Sequence, residues 1–294
     1  MARLGPNRYG KAEVRVVRVA RGAHPDGGDV IRDWNVSTSL SGDLDAASLA
    51  GDNSHVLPTD SQKNRIYALA RELGPVAPEA FGLGLASFFV TSQEPVTRAR
   101  VCVEEYGWSP IGATGYSFAR SGDLVRTTTV VLDAERGTSV VSGVRDLVVL
   151  NTTASEFWGY PKDEYTTLPE SKDRILATAV SARWRYRPTA IHGATDWDAA
   201  FATAKAALLA AFAGTYSYSL QQTLYAMGTR LLADVPAACE ARLELPNKHH
   251  YLVDLTPFGL ENPNEVYNAG DRPYGLIEGH VLADDAPDGG LAWT

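Results

Sequence analysis

Apolar and polar positions alternate along this chain in short runs, and each half adds two longer stretches with the apolar spacing of a helix. "AEVRVVRVA" (12–20) and "DVIRDWNVSTSLSG" (29–42) have the two-residue period of strands and flank a Gly/Asp-rich turn, so they predict a long hairpin. In "PTDSQKNRIYALAREL" (58–73), Thr59 and Gln62 have capping-box spacing with Asp60 between them, which predicts a helix start. "APEAFGLGLASFFV" (77–90) is a second helical stretch, and "RARVCVEEYGW" (98–108) and "LVRTTTVVLD" (124–133) return to strand. The second half repeats the order. "TSVVSGVRDLVVLNTT" (138–153) and "ILATAVSARWRYR" (175–187) read as strands. The stretch 195–216 reads as a helix with Phe201, Leu208 and Phe212 on one face. The stretch 219–235 reads as another, with Leu220, Leu224, Met227 and Leu231 in a single stripe. "EARLELP" (240–246) and "HHYLVDL" (249–255) complete the strands. Strand, strand, helix, helix, strand, strand, twice over, predicts two α+β units, 1–137 and 138–294, each an antiparallel sheet with its helices on one face. No low-complexity linker parts them, so the halves are expected to pack as one body.

Composition narrows the class without changing this picture. The 294 residues allow about two domains at ~150 residues each. Hydrophobic residues make up 45% and charged residues 21%, enough for a packed core. A net charge of −8 excludes general nucleic-acid binding, while leaving room for a local basic pocket. The two cysteines, Cys102 and Cys239, lack CxxC spacing, which points to a reducing compartment. No secretory signal or membrane-spanning stretch is apparent, so a soluble cytoplasmic protein is expected.

Several constellations could carry chemistry, each beside a plainer reading. Asn247 and His249 in "LPNKHHYLVDL" would share one face of a strand, together with Tyr251 and Val253. His250 would point the other way with Lys248, so the adjacent histidines do not suit a single metal ion. Lys11, before the first strand, is either a solvated cation or a base in a desolvated site. Thr59 and Asp60 can cap a helix, and the same helix start can receive an anion. The loop "SEFWGYPKDEYTTL" (155–168) offers Phe157 either as packing or as a stacking platform. Arg174 stands at a strand entrance, where a guanidinium fork could grip a planar anion. Arg183, Arg185 and Arg187, spaced by two, suit a solvated or subunit-facing surface. Gln221, beside the core residue Leu220, is solvated or offers both donor and acceptor to a heterocycle. No H-x-H or HExxH spacing suggests zinc, and no Gly-rich phosphate loop suggests a nucleotide cofactor.

Together these blocks resemble the urate oxidase (uricase) family. "YGKAEVRVVRV", "PTDSQKNRIYALA", "SEFWGYPKDEYTTL", "DRILATAVSARWRY", "SLQQTLYAMG", "LPNKHHYLVDL" and "NPNEVY" follow that family's order over nearly the whole chain. The resemblance implies tandem T-fold (tunnelling-fold) domains in a homotetramer around a tunnel, with active sites between subunits. It implies oxidation of urate by dioxygen and water to 5-hydroxyisourate and hydrogen peroxide, without metal or organic cofactor. By the same resemblance Lys11, Thr59 and His249 form the proton relay. The Asp60 backbone N–H meets the purine, Phe157 stacks on it, and Arg174 and Gln221 grip its edge beside the Leu220 backbone. Asn247 shapes the site for dioxygen and water, which leaves His250 structural. The segment "TGYSF" (114–118) departs from the common family pattern, as does Trp158, the residue after the Phe in "FWGY", and neither departure falls on a residue assigned chemistry.

Overall fold

The structure is a computed structural model that describes residues 2–270 and 272–294. Its elements run β1 (Val14–Ala20), β2 (Val30–Gly42), α1 (Asp45–Ala50), α2 (Thr59–Leu73), α3 (Pro78–Ser92), β3 (Val96–Pro110), β4 (Phe118–Asp133) and β5 (Gly137–Asn151). Then come β6 (Leu176–Tyr186), α4 (Pro188–Ile191), α5 (Trp197–Gly214), α6 (Leu220–Asp234), β7 (Ala238–Asn247), β8 (His250–Leu252), β9 (Tyr267–Ala269) and β10 (Gly275–Leu282). Eight of the strands form one sheet in the order β1-β2-β3-β4-β5-β6-β7-β10. Every neighbouring pair in it is antiparallel. The Asp133–Gly137 turn joins β4 to β5, so the sheet runs unbroken through the expected boundary at Gly137.

Alternation decides which face is covered. Trp34, Val36 and Leu40 of β2 are fully buried, whereas the serines between them are half-exposed. The helices lie on that apolar face, α3 against β3 and β4, and α6 against β7 and β10. One core extends under both halves and includes Trp34, Phe81, Trp184, Leu208 and Met227. Each such side chain contributes roughly 1.5–3 kcal/mol by leaving water. The predicted α6 stripe is buried throughout, from Leu220 to Leu231. The seating of α6 depends on glycine, because a Cβ on Gly228 would come within 2.5 Å of Val281 Cγ2. Among the described residues no helix is long and apolar enough to cross a membrane.

Three expectations need correction. The stretch 249–255 is not the fourth strand of the second half: β8 covers only His250–Leu252 and pairs with β9 in a separate two-stranded sheet. The place beside β7 belongs to β10, whose alternation is weakened by two glycines and was overlooked in the sequence. The capping box does not form, since the N-cap of α2 is Pro58 and has no side-chain cap bond. Gln62 turns inward instead, accepting from the Thr38 hydroxyl at 2.9 Å. Arg185 is not a surface residue: it is 4% exposed, pairs with Glu240 at 2.9 Å and donates to the Pro287 and Asp288 carbonyls. The chain beyond β10 folds back over it, which strand spacing alone cannot reveal.

Candidate functional site

Six of the nine candidate residues converge where β6 begins and β7 ends. Asn247 is the last residue of β7, in register with Thr178 of β6 and Gly275 of β10. Leu224 of α6 lies over Gly279 and Gly228 over Val281, so the start of α6 comes to the start of β10, beside Asn247. There Ser219 caps α6 by accepting from the Gln222 N–H at 3.2 Å, Leu220 is buried and Gln221 is exposed. Phe157 is held by paired backbone bonds to Ser171, at 2.8 and 2.9 Å, and its ring stacks on Tyr160 with centroids 4.8 Å apart. Arg174 lies just before β6. Its backbone N–H donates to the Ser155 carbonyl at 3.0 Å and its Nε to the Ser155 hydroxyl at 3.2 Å, which puts the guanidinium 5.1 Å from the Phe157 ring centre.

Among the described residues no carboxylate pairs with Arg174. Burial therefore lowers its pKa with nothing to oppose the effect. Arg174, Asn247 and His249 line one open cleft of about 730 Å³, together with Ser171, Tyr251 and Leu252. His249 sits in the break between β7 and β8, and its ring lies over that of Tyr251 at 5.8 Å. The shared strand face expected for Asn247 and His249 is thus replaced by a shared cleft. A half-dry guanidinium without a counter-ion, an aromatic face beneath it and an amide nearby suit a planar anion.

The other three candidates gather at a second corner. Thr38 of β2 binds the Lys11 backbone from both sides: its N–H donates to the Lys11 carbonyl at 2.8 Å, and its Oγ1 accepts from the Lys11 N–H at 3.3 Å. Thr38 and Gln62 are both buried, and Gln62 Nε2 donates to the Leu57 carbonyl at 3.4 Å. The Tyr9 hydroxyl donates to that same carbonyl at 3.1 Å. This web ties the segment carrying Lys11 to the start of α2. Thr59 is the first residue of α2, and among the described residues its hydroxyl has no hydrogen-bond partner. The Asp60 carboxylate accepts from Lys63 and Asn64, and these bonds, with the charge of Lys11 adding, hold its pKa low. With no side-chain cap on α2, the backbone N–H groups of its first turn are left without intrahelical partners. No local pattern in the sequence marks Tyr9, Thr38 or Ser155, because their partners Leu57, Gln62 and Arg174 lie 19 to 48 residues away.

The two corners do not meet within one chain. β2 and β7 are five strands apart, about 24 Å at ~4.8 Å per strand. They also lie at opposite ends of the strands. The register carries Thr38 across Val101 and Val130 to Val140, one position from the Val141↔Arg185 pair, while Asn247 faces Thr178. Positions 178 and 185 are separated by roughly 23 Å of strand at ~3.3 Å per residue.

Fold and corners define a class: a two-layer antiparallel α+β protein with an unpaired guanidinium in a cleft and a separate lysine–threonine helix start. Comparison with known proteins narrows it. The uricase family model matches residues 7–131 and 140–278. A uricase from Arthrobacter globiformis is 47% identical over 291 residues, 99% of this chain and 93% of that protein. One from Dictyostelium discoideum is 35% identical over 96% of this chain and 98% of its own length. The crystal structure of the Arthrobacter globiformis uricase superposes with a TM-score of 0.93 at 45% identity, covering 100% of this chain and 99% of that one. The chain belongs to the uricase family.

Proposed function

We propose that this protein is a cofactor-independent urate oxidase. It converts urate, dioxygen and water to 5-hydroxyisourate and hydrogen peroxide, as a homotetramer of tandem T-fold chains. The two free cysteines suit work in a reducing cytoplasm. Urate is a planar anion, rich in electrons. Phe157 carries its ring, while Arg174 and Gln221 hold its edge beside the Leu220 backbone. Lys11 and Thr59, with His249, take a second proton from it. The dianion then gives two electrons to dioxygen, which leaves with two protons as hydrogen peroxide. Asn247 places first dioxygen and then the water that adds to the oxidised ring. Each site is built at a subunit contact, with Lys11, Thr59 and the Asp60 N–H from one chain and the remaining groups from its neighbour.

The observation that carries this reading is the Arg174 guanidinium, half-buried without an acid, 5.1 Å from the Phe157 ring centre and in one cleft with Asn247 and His249. The separation of the two corners supports the intersubunit site. Adding urate in air tests the function: its ultraviolet absorbance should fall as one equivalent of peroxide forms, also after exhaustive dialysis against a chelator. Stable absorbance, or activity restored only by one added metal, overturns the reading.

A further inference from the structure

The carboxylate next to the proposed stacking ring joins the loop that carries this ring to the segment leading into α6, which the backbone only partly ties together. Glu156 Oε1 accepts from the Tyr216 hydroxyl at 2.6 Å, and Glu156 Oε2 accepts from Trp158 Nε1 at 2.5 Å. Trp158 is the residue after Phe157, and Tyr216 lies in the connection that leads into α6. One carboxylate therefore has an oxygen on each side. Beneath it the Glu156 N–H donates to the Ser217 carbonyl at 2.8 Å, and the Ser217 N–H donates to the Ala154 carbonyl at 2.9 Å. Ser217 is fully buried, bonded through its hydroxyl to the Ser219 carbonyl and to Thr223. The chain 154–157 is thus fastened to the entrance of α6, immediately before Leu220 and Gln221. Its neighbour Ser155 is the residue that orients Arg174.

We infer that Glu156 is a positioning residue for the substrate ring, locking the Phe157 platform to the α6 entrance so that stacking face, Gln221 amide and Arg174 fork keep one geometry. This rests on the urate oxidase reading. A planar ring held from below and along an edge is sensitive to small changes in that spacing, because each contact is directional. The backbone bonds hold the two segments side by side, whereas the Glu156 clamp sets the height and tilt of the turn that presents the ring. The bonds from Tyr216 and Trp158 hold the Glu156 carboxyl below the usual carboxylate range. The same clamp pushes the Tyr216 phenol up to about 12. The contribution of the carboxylate is thus present above its ordinary pKa and is lost only as pH falls through the lowered value, so the clamp stays closed at mildly acid pH.

Steady-state urate kinetics test this. Glu156→Ala should raise KM about tenfold while kcat stays within about threefold, the signature of weakened seating rather than weakened chemistry. Glu156→Gln keeps one acceptor for the Tyr216 hydroxyl and should recover at least half of that loss on a logarithmic scale. Tyr216→Phe should move KM the same way by a smaller factor. The double variant Glu156→Ala/Tyr216→Phe should be no worse than Glu156→Ala, because the two act through one bond. Wild-type KM in folded Glu156→Ala overturns the inference, as does a double variant whose effects multiply or a kcat that falls at constant KM. If Glu156→Ala does not fold, Tyr216→Phe carries the test, since it removes one hydroxyl at a half-exposed position. A wild-type protein that leaves urate untouched fails the parent reading instead.

Discussion

Two arginines, one at the seam between the halves and one in the cleft, carry the same guanidinium in opposite circumstances. Arg126 of β4 is 5% exposed and donates to Glu79 at 2.7 Å, to Asp198 at 2.6 Å and to the Trp197 carbonyl at 3.2 Å. Arg32 binds the same Asp198 and also Glu105. Glu79 itself is fully buried and accepts from Ser142 and Thr128 as well. Burial pushes the Glu79 carboxyl up although Arg126 and both hydroxyls stabilise its charge. For Arg126 burial works downward, but Glu79, Glu105 and Asp198 together win and raise it. For Arg174 burial acts alone and the pKa falls. Each paired with an opposite charge, the seam groups join α3, β4 and α5, and the Ser142 hydroxyl of β5 binds the same Glu79; Arg126 Nε alone is buried there without a hydrogen-bond partner among the described residues. The cleft charge is left unmatched, so its electrostatic capacity is available to a bound anion, which would do for Arg174 what Glu79 does for Arg126.

The sharpest way to break this comparison is at the seam. Glu79→Ala leaves Arg126 buried beside a lost partner and should cost about 3–5 kcal/mol, because the desolvated charge remains. For a chain of this size that lowers Tm by roughly 6–20 °C at ~2–4 °C per kcal/mol, read by thermal unfolding. Arg174→Ala should lower Tm by only about 2–4 °C, since it loses one hydrogen bond of ~1 kcal/mol to the Ser155 hydroxyl and leaves no acid unpaired. An equal drop in both variants would make Arg174 a structural residue.

Next in size is the effect on substrate. Arg174→Ala removes a charge-assisted fork worth about 2–3 kcal/mol, so KM for urate should rise by roughly 30–150-fold. An unchanged KM would remove Arg174 from the site.

The smallest signal tests whether the cleft is completed by another chain. At urate far below the wild-type KM, Lys11→Ala and Arg174→Ala should each retain only a few per cent of wild-type activity, a loss of about 30-fold or more, the first through lost proton transfer and the second through its raised KM. In an equal mixture, a first half from the Arg174→Ala chain meets a second half from the Lys11→Ala chain in about a quarter of the interfaces. Co-refolded variants should recover roughly that fraction of wild-type activity. No recovery in oligomers shown by mass spectrometry to be mixed would place the whole site within one chain.

What the sequence determined by itself is whatever depends on neighbours in the chain. The strand alternation of β1 to β6, the buried stripe of α6 and the start of α2 near Thr59 were legible because side-chain period is a local property of backbone geometry. The family blocks were legible because they are strings. Tertiary structure decided the rest. Gln62 had the spacing of a cap but bonds to Thr38, 24 residues away. Arg185 had the spacing of a surface residue but lies under the chain that follows β10. The fourth strand of the second half is β10 rather than the conspicuous apolar run at 249–255, because β7 accepts whichever edge the chain brings to it. Whether an arginine is matched, as Arg126 is, or left waiting, as Arg174 is, depends on which acids folding sets beside it. Burial and charge pairing are sums over neighbours in space, and one-dimensional order does not hold those neighbours.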